Sequence, residues 1–261
     1  EFFKENDGAI NNLSSLKGKF NTSIESVDEF IDYYPFFNYQ MRLLKNFLYS
    51  VFQQAQAGGS ERGMLVTVDR ILKGEKLFQK EIGEFVTAYQ LCDYGFPMPQ
   101  SELENKFNDA HQDLKDEGLD INGKNLMRTV FFLEKSEDLK RTVDNITKAY
   151  NNDLTYIGEI KPTIEESLNQ LETKSHILED NQEYKITSDV EENMMHEMNT
   201  LTADWEHRID IVRNIIKDLQ FITRYSTNKV DGKTYNIAIA DEKGNLLSRK
   251  NAEVSLIVFN V

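Results

Sequence analysis

Cysteine, proline and long apolar runs are all scarce in this sequence. Its 261 residues include one cysteine, Cys92, and four prolines. A single cysteine excludes an internal disulfide framework and suits a reducing compartment, so we expect a cytoplasmic protein. No apolar run approaches the ~20 residues that cross a bilayer, and no signal-peptide pattern is present, so no membrane partner is expected. Leu91, Tyr89 and Val86 lie near Cys92 in sequence, which favours a packed thiol over a nucleophile.

The motifs that carry common chemistries are also missing. The sequence contains no phosphate loop, no Gly-x-Gly-x-x-Gly fingerprint and no Gly-x-Ser-x-Gly nucleophile elbow. Its four histidines, His111, His176, His196 and His207, are too widely spaced to predict shared metal ligation. We therefore predict no catalytic residue, no metal site and no cofactor within this chain. Because it begins at Glu1 rather than at Met, we expect a piece of a longer protein.

Basic charge is in deficit, with a formal net charge of −14. This balance argues against broad electrostatic capture of nucleic acid, which needs concentrated Lys and Arg. It leaves a local basic patch open.

What the sequence does contain is helical periodicity, which predicts a mainly α protein with a small β content. One helix is predicted over residues 38–57. A second begins at Glu61 with Ser60 as its N-cap. A third passes through Leu77–Tyr89. A fourth starts at the capping box of Ser101 and ends near Gly118. The second helix is predicted to bury Met64, Leu65, Val68, Ile71 and Leu72. We predict a helical bundle over residues 1–118.

The middle of the chain has the order of a winged helix, predicted here over residues 119–188. Helices are predicted at 124–134 and 137–150, and a third begins at Pro162, because proline suits a first helical turn. The third helix buries Ile164, Leu168 and Leu171. A β-hairpin with its tip at residues 180–182 follows it.

Beyond the hairpin, a second capping box at Ser188 opens a long amphipathic helix predicted over residues 189–224. Its apolar stripe steps every three or four residues: Val190, Met194, Met198, Leu201, Trp205, Ile209, Val212, Ile216 and Leu219. We predict a buried seam, with a docking surface as the alternative. Residues 225–261 form a β-element, or the start of a further domain. Its predicted strands are 235–240 and 254–261, with a turn at 241–245.

The winged-helix order raises a DNA-binding hypothesis, because the third helix of such a unit normally enters the major groove. The candidate DNA contacts are Lys161, Lys174 and, on the hairpin, Lys185. They stand among Glu165, Glu166, Glu172, Glu179, Asp180 and Glu183. These carboxylates would repel phosphate, so protein contact is favoured. Other basic candidates, Lys124, Arg128, Lys135, Lys140, Arg141 and Lys148, are interrupted by acidic residues.

Two short motifs resemble a known family. Residues 34–44 read Tyr-Pro-Phe-Phe-Asn-Tyr-Gln-Met-Arg-Leu-Leu, and residues 59–65 read Gly-Ser-Glu-Arg-Gly-Met-Leu. They are similar to a Tyr-Pro-Phe-x-Pro-Tyr-Gln-Phe stretch and a Gly-Glu-Arg-Ser-Met-Leu stretch. Both belong to the large P-loop ATPase of the BREX (bacteriophage exclusion) defence systems, the BrxC/PglY family. Asn38 stands where that family usually has proline, and Gly63 where it has serine.

The resemblance implies that residues 1–118 form an AAA+-like lid beyond an ATPase core, and that Arg62 senses nucleotide near the γ-phosphate. ATP and Mg²⁺ would bind to the parent protein rather than to this chain. Implied partners are other defence proteins, among them a methyltransferase, and the resemblance leaves open a homo-oligomeric parent. The alternatives are a free-standing winged-helix DNA-binding regulator and a protein-interaction scaffold. For Arg62 the alternative is an exposed arginine that pairs with a neighbour such as Glu61.

Overall fold

The computed structural model describes most of the chain: residues 1–24, 26–52, 61–97, 101–154, 157–200, 227–230, 233–241 and 254–258. Within these ranges the protein is mainly helical, with ten α-helices and five short strands. This confirms the predicted fold class at that level. The chain divides into two compact units, Glu1–His196 and Glu197–Val261.

The helices are α1 (Phe2–Ser14), α2 (Val27–Tyr33), α3 (Asn38–Val51), α4 (Glu61–Gly74), α5 (Ala88–Gly95), α6 (Glu102–Asp116), α7 (Gly123–Ser136), α8 (Val143–Tyr150), α9 (Ile157–Thr173) and α10 (Asp189–Thr200). The strands are β1 (Ile177–Asp180), β2 (Glu183–Ile186), β3 (Thr227–Val230), β4 (Lys233–Asp241) and β5 (Val254–Val258).

Helix α7 lies at the centre of the first unit. It packs against α3, α5, α6, α8 and β2. Leu126, Met127, Val130 and Leu133 are fully buried, because apolar residues occupy most of its circumference. Phe132 of α7 adds an aromatic contact with Phe47 of α3, with ring centroids 4.9 Å apart.

The first family-like motif is a structural junction. The Tyr34 hydroxyl accepts a hydrogen bond from the Gly83 amide (3.1 Å). The buried Gln40 side chain accepts from the Phe37 amide (3.0 Å) and donates to the Val86 carbonyl (2.6 Å). The motif therefore attaches the start of α3 to the segment that leads into α5.

Two predicted helix starts are confirmed by their caps. The Ser101 hydroxyl accepts from the Glu104 amide, and Ser188 and Glu191 make the reciprocal bonds of a capping box. At Ser101 the reciprocal bond is replaced, because the Glu104 carboxylate pairs with Lys124 and Arg128 instead.

The prediction of one helix through Leu77–Tyr89 is wrong. A 3₁₀ turn (Leu77–Gln79) leads into irregular chain, and α5 begins only at Ala88. Gly83 has a φ of +128°, which interrupts helical geometry, and Thr87 caps α5 through a capping box with Gln90.

Other helix predictions need correction. Leu65 of α4 is 66% exposed rather than buried, whereas Ile71 is fully buried. The predicted helix 137–150 begins only at Val143, and α9 begins at Ile157, so Pro162 lies inside it. The predicted helix 38–57 ends at Val51, and its residues 53–57 and the predicted cap Ser60 lie outside the described residues.

Residues 138–141 form extended chain between two neighbours, which explains why α8 starts late. On one side the Lys140 amide donates to the Lys17 carbonyl (3.0 Å). On the other side the Tyr184 amide of β2 donates to the Arg141 carbonyl (3.0 Å). Leu139 forms a single antiparallel bridge with Gly18, and β2 pairs antiparallel with β1.

The predicted hairpin is confirmed as β1–β2. Its two turn residues, Asn181 and Gln182, both have positive φ (54° and 65°), as a type I′ turn requires. In the second unit, β3 and β4 pair antiparallel, and β4 pairs with β5 in parallel. β4 and β5 correspond to the predicted strands 235–240 and 254–261, and residues 242–245 of the predicted turn lie outside the described residues.

Helix α10 is the described part of the predicted long helix, and residues 201–224 of that prediction lie outside the described residues. Val190, Met194 and Met198 are 69%, 57% and 67% exposed. The predicted buried seam is therefore wrong for this part of the stripe.

Candidate functional site

Helix α9 presents an acidic surface. Ile164, Leu168 and Leu171 are fully buried against the first unit, as predicted. The most exposed positions include Glu165 and Glu166, and Lys161 of this helix, with its side chain 45% exposed, pairs with Asp144. A helix with this face would bring negative charge toward a phosphate backbone.

The three lysines that were candidates for DNA contact each face a carboxylate. Lys161 lies 3.3 Å from Asp144 of α8, and Lys174 lies 3.3 Å from Glu117, just beyond α6. On β2, Lys185 lies 2.6 Å from Glu191. Lys161 lies near the start of α9 and Lys174 just after its end, about 20 Å apart along the helix axis.

The Lys185 pair belongs to a small network at the start of α10. Glu191 also accepts hydrogen bonds from the backbone and hydroxyl of Ser188. The bond from Lys185 and those from Ser188 lower the Glu191 pKa from its ordinary 4.5 to about 2. The ammonium of Lys185 is therefore paired with the Glu191 carboxylate in the folded chain.

The other basic candidates are mostly paired as well. The pairs are Lys124–Glu104, Arg128–Asp93 and Arg128–Glu104, Lys135–Glu134, Arg141–Glu183 and Lys148–Asp144. Among the described residues Lys140 alone of this group has no carboxylate within ion-pair distance. Lys124 and Arg128 therefore link α7 to α6 and α5, whereas the ion pairs of Lys135 and Lys148 lie within their own helices.

Arg62 occupies the first turn of α4 and is exposed. No carboxylate in the described ranges lies within 4.0 Å of its guanidinium, so the alternative pairing with Glu61 is not formed. An unpaired guanidinium keeps its donors available for a phosphate or a carboxylate.

Sequence reasoning missed a buried polar junction between α6 and the start of α10. The Lys106 ammonium donates to the Thr187 carbonyl (2.6 Å) and hydroxyl (2.8 Å) and pairs with Glu192 (2.6 Å). Nearby, the buried His176 Nε2 lies 2.6 Å from the Asp113 carboxylate. The partners are 81 and 63 residues apart, so no local sequence signal marks them.

Reactive and metal-binding groups are few in the described part of the chain. Cys92 is fully buried, as predicted, and its burial raises the thiol pKa well above the usual range. No three His, Cys, Asp or Glu residues in the described ranges are arranged to hold a metal ion. None of the helices described combines the length and the apolar character needed to cross a bilayer.

Comparison of the chain with protein-family models, with curated proteins and with solved structures finds no match.

Proposed function

We propose that this chain is a non-catalytic segment of a large ATPase of a BREX phage-defence system. Residues 1–118 would form a lid beyond the ATPase core, and α7–α9 with β1–β2 would form a winged-helix unit that contacts protein. Support for the winged-helix assignment comes from the order of three helices and a hairpin. The backbone hydrogen bond from the Tyr184 amide of β2 to the Arg141 carbonyl supports it further, since the segment after the first helix joins the hairpin in such a unit.

One observation carries the choice of protein over DNA as the partner. The exposed face of α9 is acidic, and Lys161, Lys174 and Lys185 are each held by a carboxylate. Phosphate would have to displace these carboxylates and approach Glu165 and Glu166. A basic surface on another defence protein, such as a methyltransferase, fits this face better.

In the parent protein, Arg62 would sense nucleotide. Its exposure and its lack of an ion-pair partner among the described residues support this role. ATP and Mg²⁺ would bind to the parent's core, and the guanidinium would donate to phosphate oxygens from the start of α4. The first motif would anchor the lid through the bonds of Tyr34 and Gln40.

Duplex binding tests the protein-contact assignment. We expect no saturable fluorescence-anisotropy change with a labelled duplex at low salt. The double substitution Glu165→Lys/Glu166→Lys should create salt-dependent binding, because it reverses the face of α9. Salt-dependent binding by the unaltered chain, abolished by Lys161→Glu/Lys174→Glu, would establish the DNA-regulator alternative.

ATP turnover tests the non-catalytic assignment. We expect none from this chain, because it lacks a phosphate loop. ATP hydrolysis by this chain that is lost in the Arg62→Ala variant would refute the non-catalytic assignment. Sequencing the parent gene upstream of the Glu1 codon tests the ATPase assignment directly, since a phosphate-loop motif must precede Tyr34.

A scaffold function is the second candidate, and the exposed Val190, Met194 and Met198 favour it. Their spacing places them on one side of α10, where an amphipathic helix of a partner defence protein would pack. Met194→Glu should then abolish copurification with that protein, while the exposed control Asn193→Glu should not. Equal copurification of both variants would exclude α10 as the docking face.

A further inference from the structure

A concave surface of about 410 Å³ lies between α3, the end of α7 and the segment that follows α1. Lys19, Lys45 and Lys135 reach it from these three elements, together with Asn46, Tyr49 and Ser50. The chain has a net charge of −14, so a concavity with three lysines around it differs in the sign of its charge from the chain as a whole.

Lys19 and Lys45 are less closely paired with carboxylates than the lysines of α9 and β2. Lys45 is exposed and has no carboxylate within 4.0 Å in the described part of the chain. The side chain of Lys19 is 68% exposed, and its carboxylate partner, Asp138, is 3.9 Å away. Lys135 pairs with Glu134 at 3.0 Å.

The acidic groups at this surface are largely neutralised. The Asp138 carboxylate accepts from Arg42 Nε (2.8 Å) and from Asn46 Nδ2 (2.8 Å). Asn46 also donates to the Ser136 carbonyl (3.3 Å) at the end of α7, which covers part of the negative end of that helix. Of the two lining carboxylates, only that of the exposed Glu137 has no partner within the described ranges.

A structural role explains Lys135 but not the other two lysines. Lys135 lies in the last turn of α7, where a cation stabilises the helix dipole. Lys19 and Lys45 come from other elements, and Lys45 satisfies no described acceptor. The ammonium of Lys45 is therefore available for an external anion, and that of Lys19 is held only by Asp138 at 3.9 Å.

Tyr49 adds a flat apolar surface beside these cations. It is 71% exposed, whereas Phe47 and Leu48 of the same helix are buried. Exposed aromatic rings next to cationic groups stack the bases of nucleotides while the cations bind phosphate. We propose that this concavity binds a nucleotide phosphate, with Lys19 and Lys45 on the phosphate and Tyr49 against the base.

Calorimetric titration of the whole chain tests the site, with AMP and inorganic pyrophosphate as probes at about 50 mM salt. An open site with two cations predicts weak binding, with a Kd of about 0.1–1 mM for AMP. Lys45→Glu should weaken both probes at least about tenfold, because a charge-assisted hydrogen bond is replaced by repulsion. Tyr49→Ala should weaken the binding of AMP and leave the binding of pyrophosphate unchanged.

Lys115→Glu is the matched control, because Lys115 is an exposed lysine of α6 outside the concavity. It makes the same change of net charge and should leave the affinity for AMP unaltered. Thermal unfolding of each variant checks that it folds, and Lys45→Gln repeats the test without charge reversal.

An oligothymidylate of about eight nucleotides identifies the source of the phosphate. If the chain binds the oligothymidylate about tenfold more tightly than AMP, and Lys45→Glu removes this binding, the site is one for single-stranded nucleic acid. If the two affinities are equal, the site is one for free nucleotides. The proposal is overturned if neither AMP nor pyrophosphate binds at about 5 mM. It is also overturned if Lys115→Glu weakens binding as much as Lys45→Glu does.

Discussion

At the scale of single residues, Gln40 shows how one side chain joins two distant segments. It is 2% exposed, and both ends of its amide are used, one by the Phe37 amide and one by the Val86 carbonyl. A side chain that could not replace these bonds would leave two backbone groups unsatisfied in a buried place.

We therefore expect Gln40→Leu to lower the free energy of unfolding by roughly 2–4 kcal/mol, the cost of two unsatisfied groups. Chemical denaturation of the purified chain measures it. The exposed Gln112, which bonds only its helical neighbour Asp116, provides the control, and Gln112→Leu should change stability by less than about 0.5 kcal/mol. Equal losses in the two variants would remove Gln40 from its structural role.

The Glu191 network predicts a pH dependence. A carboxyl group whose folded pKa is lowered contributes stability above its unfolded pKa and loses that contribution as pH falls through the folded pKa. For Glu191 the window runs from pH 4.5 down to about 2. A ¹³C NMR titration of this carboxyl group should have its midpoint near 2. Lys185→Met should raise the midpoint, whereas Lys115→Met should not. An unchanged midpoint in Lys185→Met would show that the ion pair does not form in solution.

At the scale of elements, local sequence signals predicted some helix boundaries and missed others. The caps at Ser101 and Ser188 and the turn at Asn181 and Gln182 lie within a few residues of the structure they determine, so they were predictable. The start of α8 was not, because residues 138–141 pair with Lys17 and with β2, which are remote in sequence. Tertiary contacts of this kind override local propensity.

The start of α9 provides a prediction about glycine. Gly158 lies in the first turn, and a Cβ placed there would meet no atom within 4 Å. Gly158→Ala should raise the free energy of unfolding by about 0.5–1 kcal/mol, since alanine loses less backbone entropy in a helix. Denaturant titration measures the gain.

Gly123, at the start of α7, is the contrasting position. A Cβ there would lie 2.8 Å from the His111 Cα and 2.9 Å from the Ala110 carbonyl oxygen, so α6 and α7 would have to separate. Gly123→Ala should destabilise by about 1–3 kcal/mol. Equal effects at the two glycines would mean that α6 and α7 do not approach this closely.

At the scale of the whole molecule, the first unit is held together through α7. Its buried side chains contact helices from both sides of the chain, including α3 and α6 before it and α8 after it. A piece that began at Leu119 would expose the faces of α7 that α3, α5 and α6 now cover.

We expect residues 1–200 to unfold in one cooperative transition and residues 119–200 alone to show none, because exposing much of the α7 core removes more stability than a small domain has. Urea unfolding followed by circular dichroism compares the two pieces. A sharp transition in the shorter piece would establish the winged-helix segment as an independent folding unit.

Charge at this scale also explains what could be predicted of the candidate site. The excess of acidic residues around Lys161, Lys174 and Lys185 could be read from the sequence, and the structure places Glu165 and Glu166 at exposed positions. The ion pairs of Lys161 and Lys174 could not be read from the sequence, because Asp144 belongs to α8 and Glu117 follows α6. Sequence composition predicts the sign of a surface, whereas the fold determines which charges remain free.

The burial of Cys92 has a practical consequence for measuring this protein in a complex. The sequence holds no other thiol, and this one is enclosed and protonated at neutral pH. A cysteine introduced at an exposed position, such as Glu166→Cys on α9, would react selectively with maleimide or spin-label reagents in the folded chain. Fluorescence or electron paramagnetic resonance could then report on contact with that one helix, and the native sequence needs no prior cysteine removal.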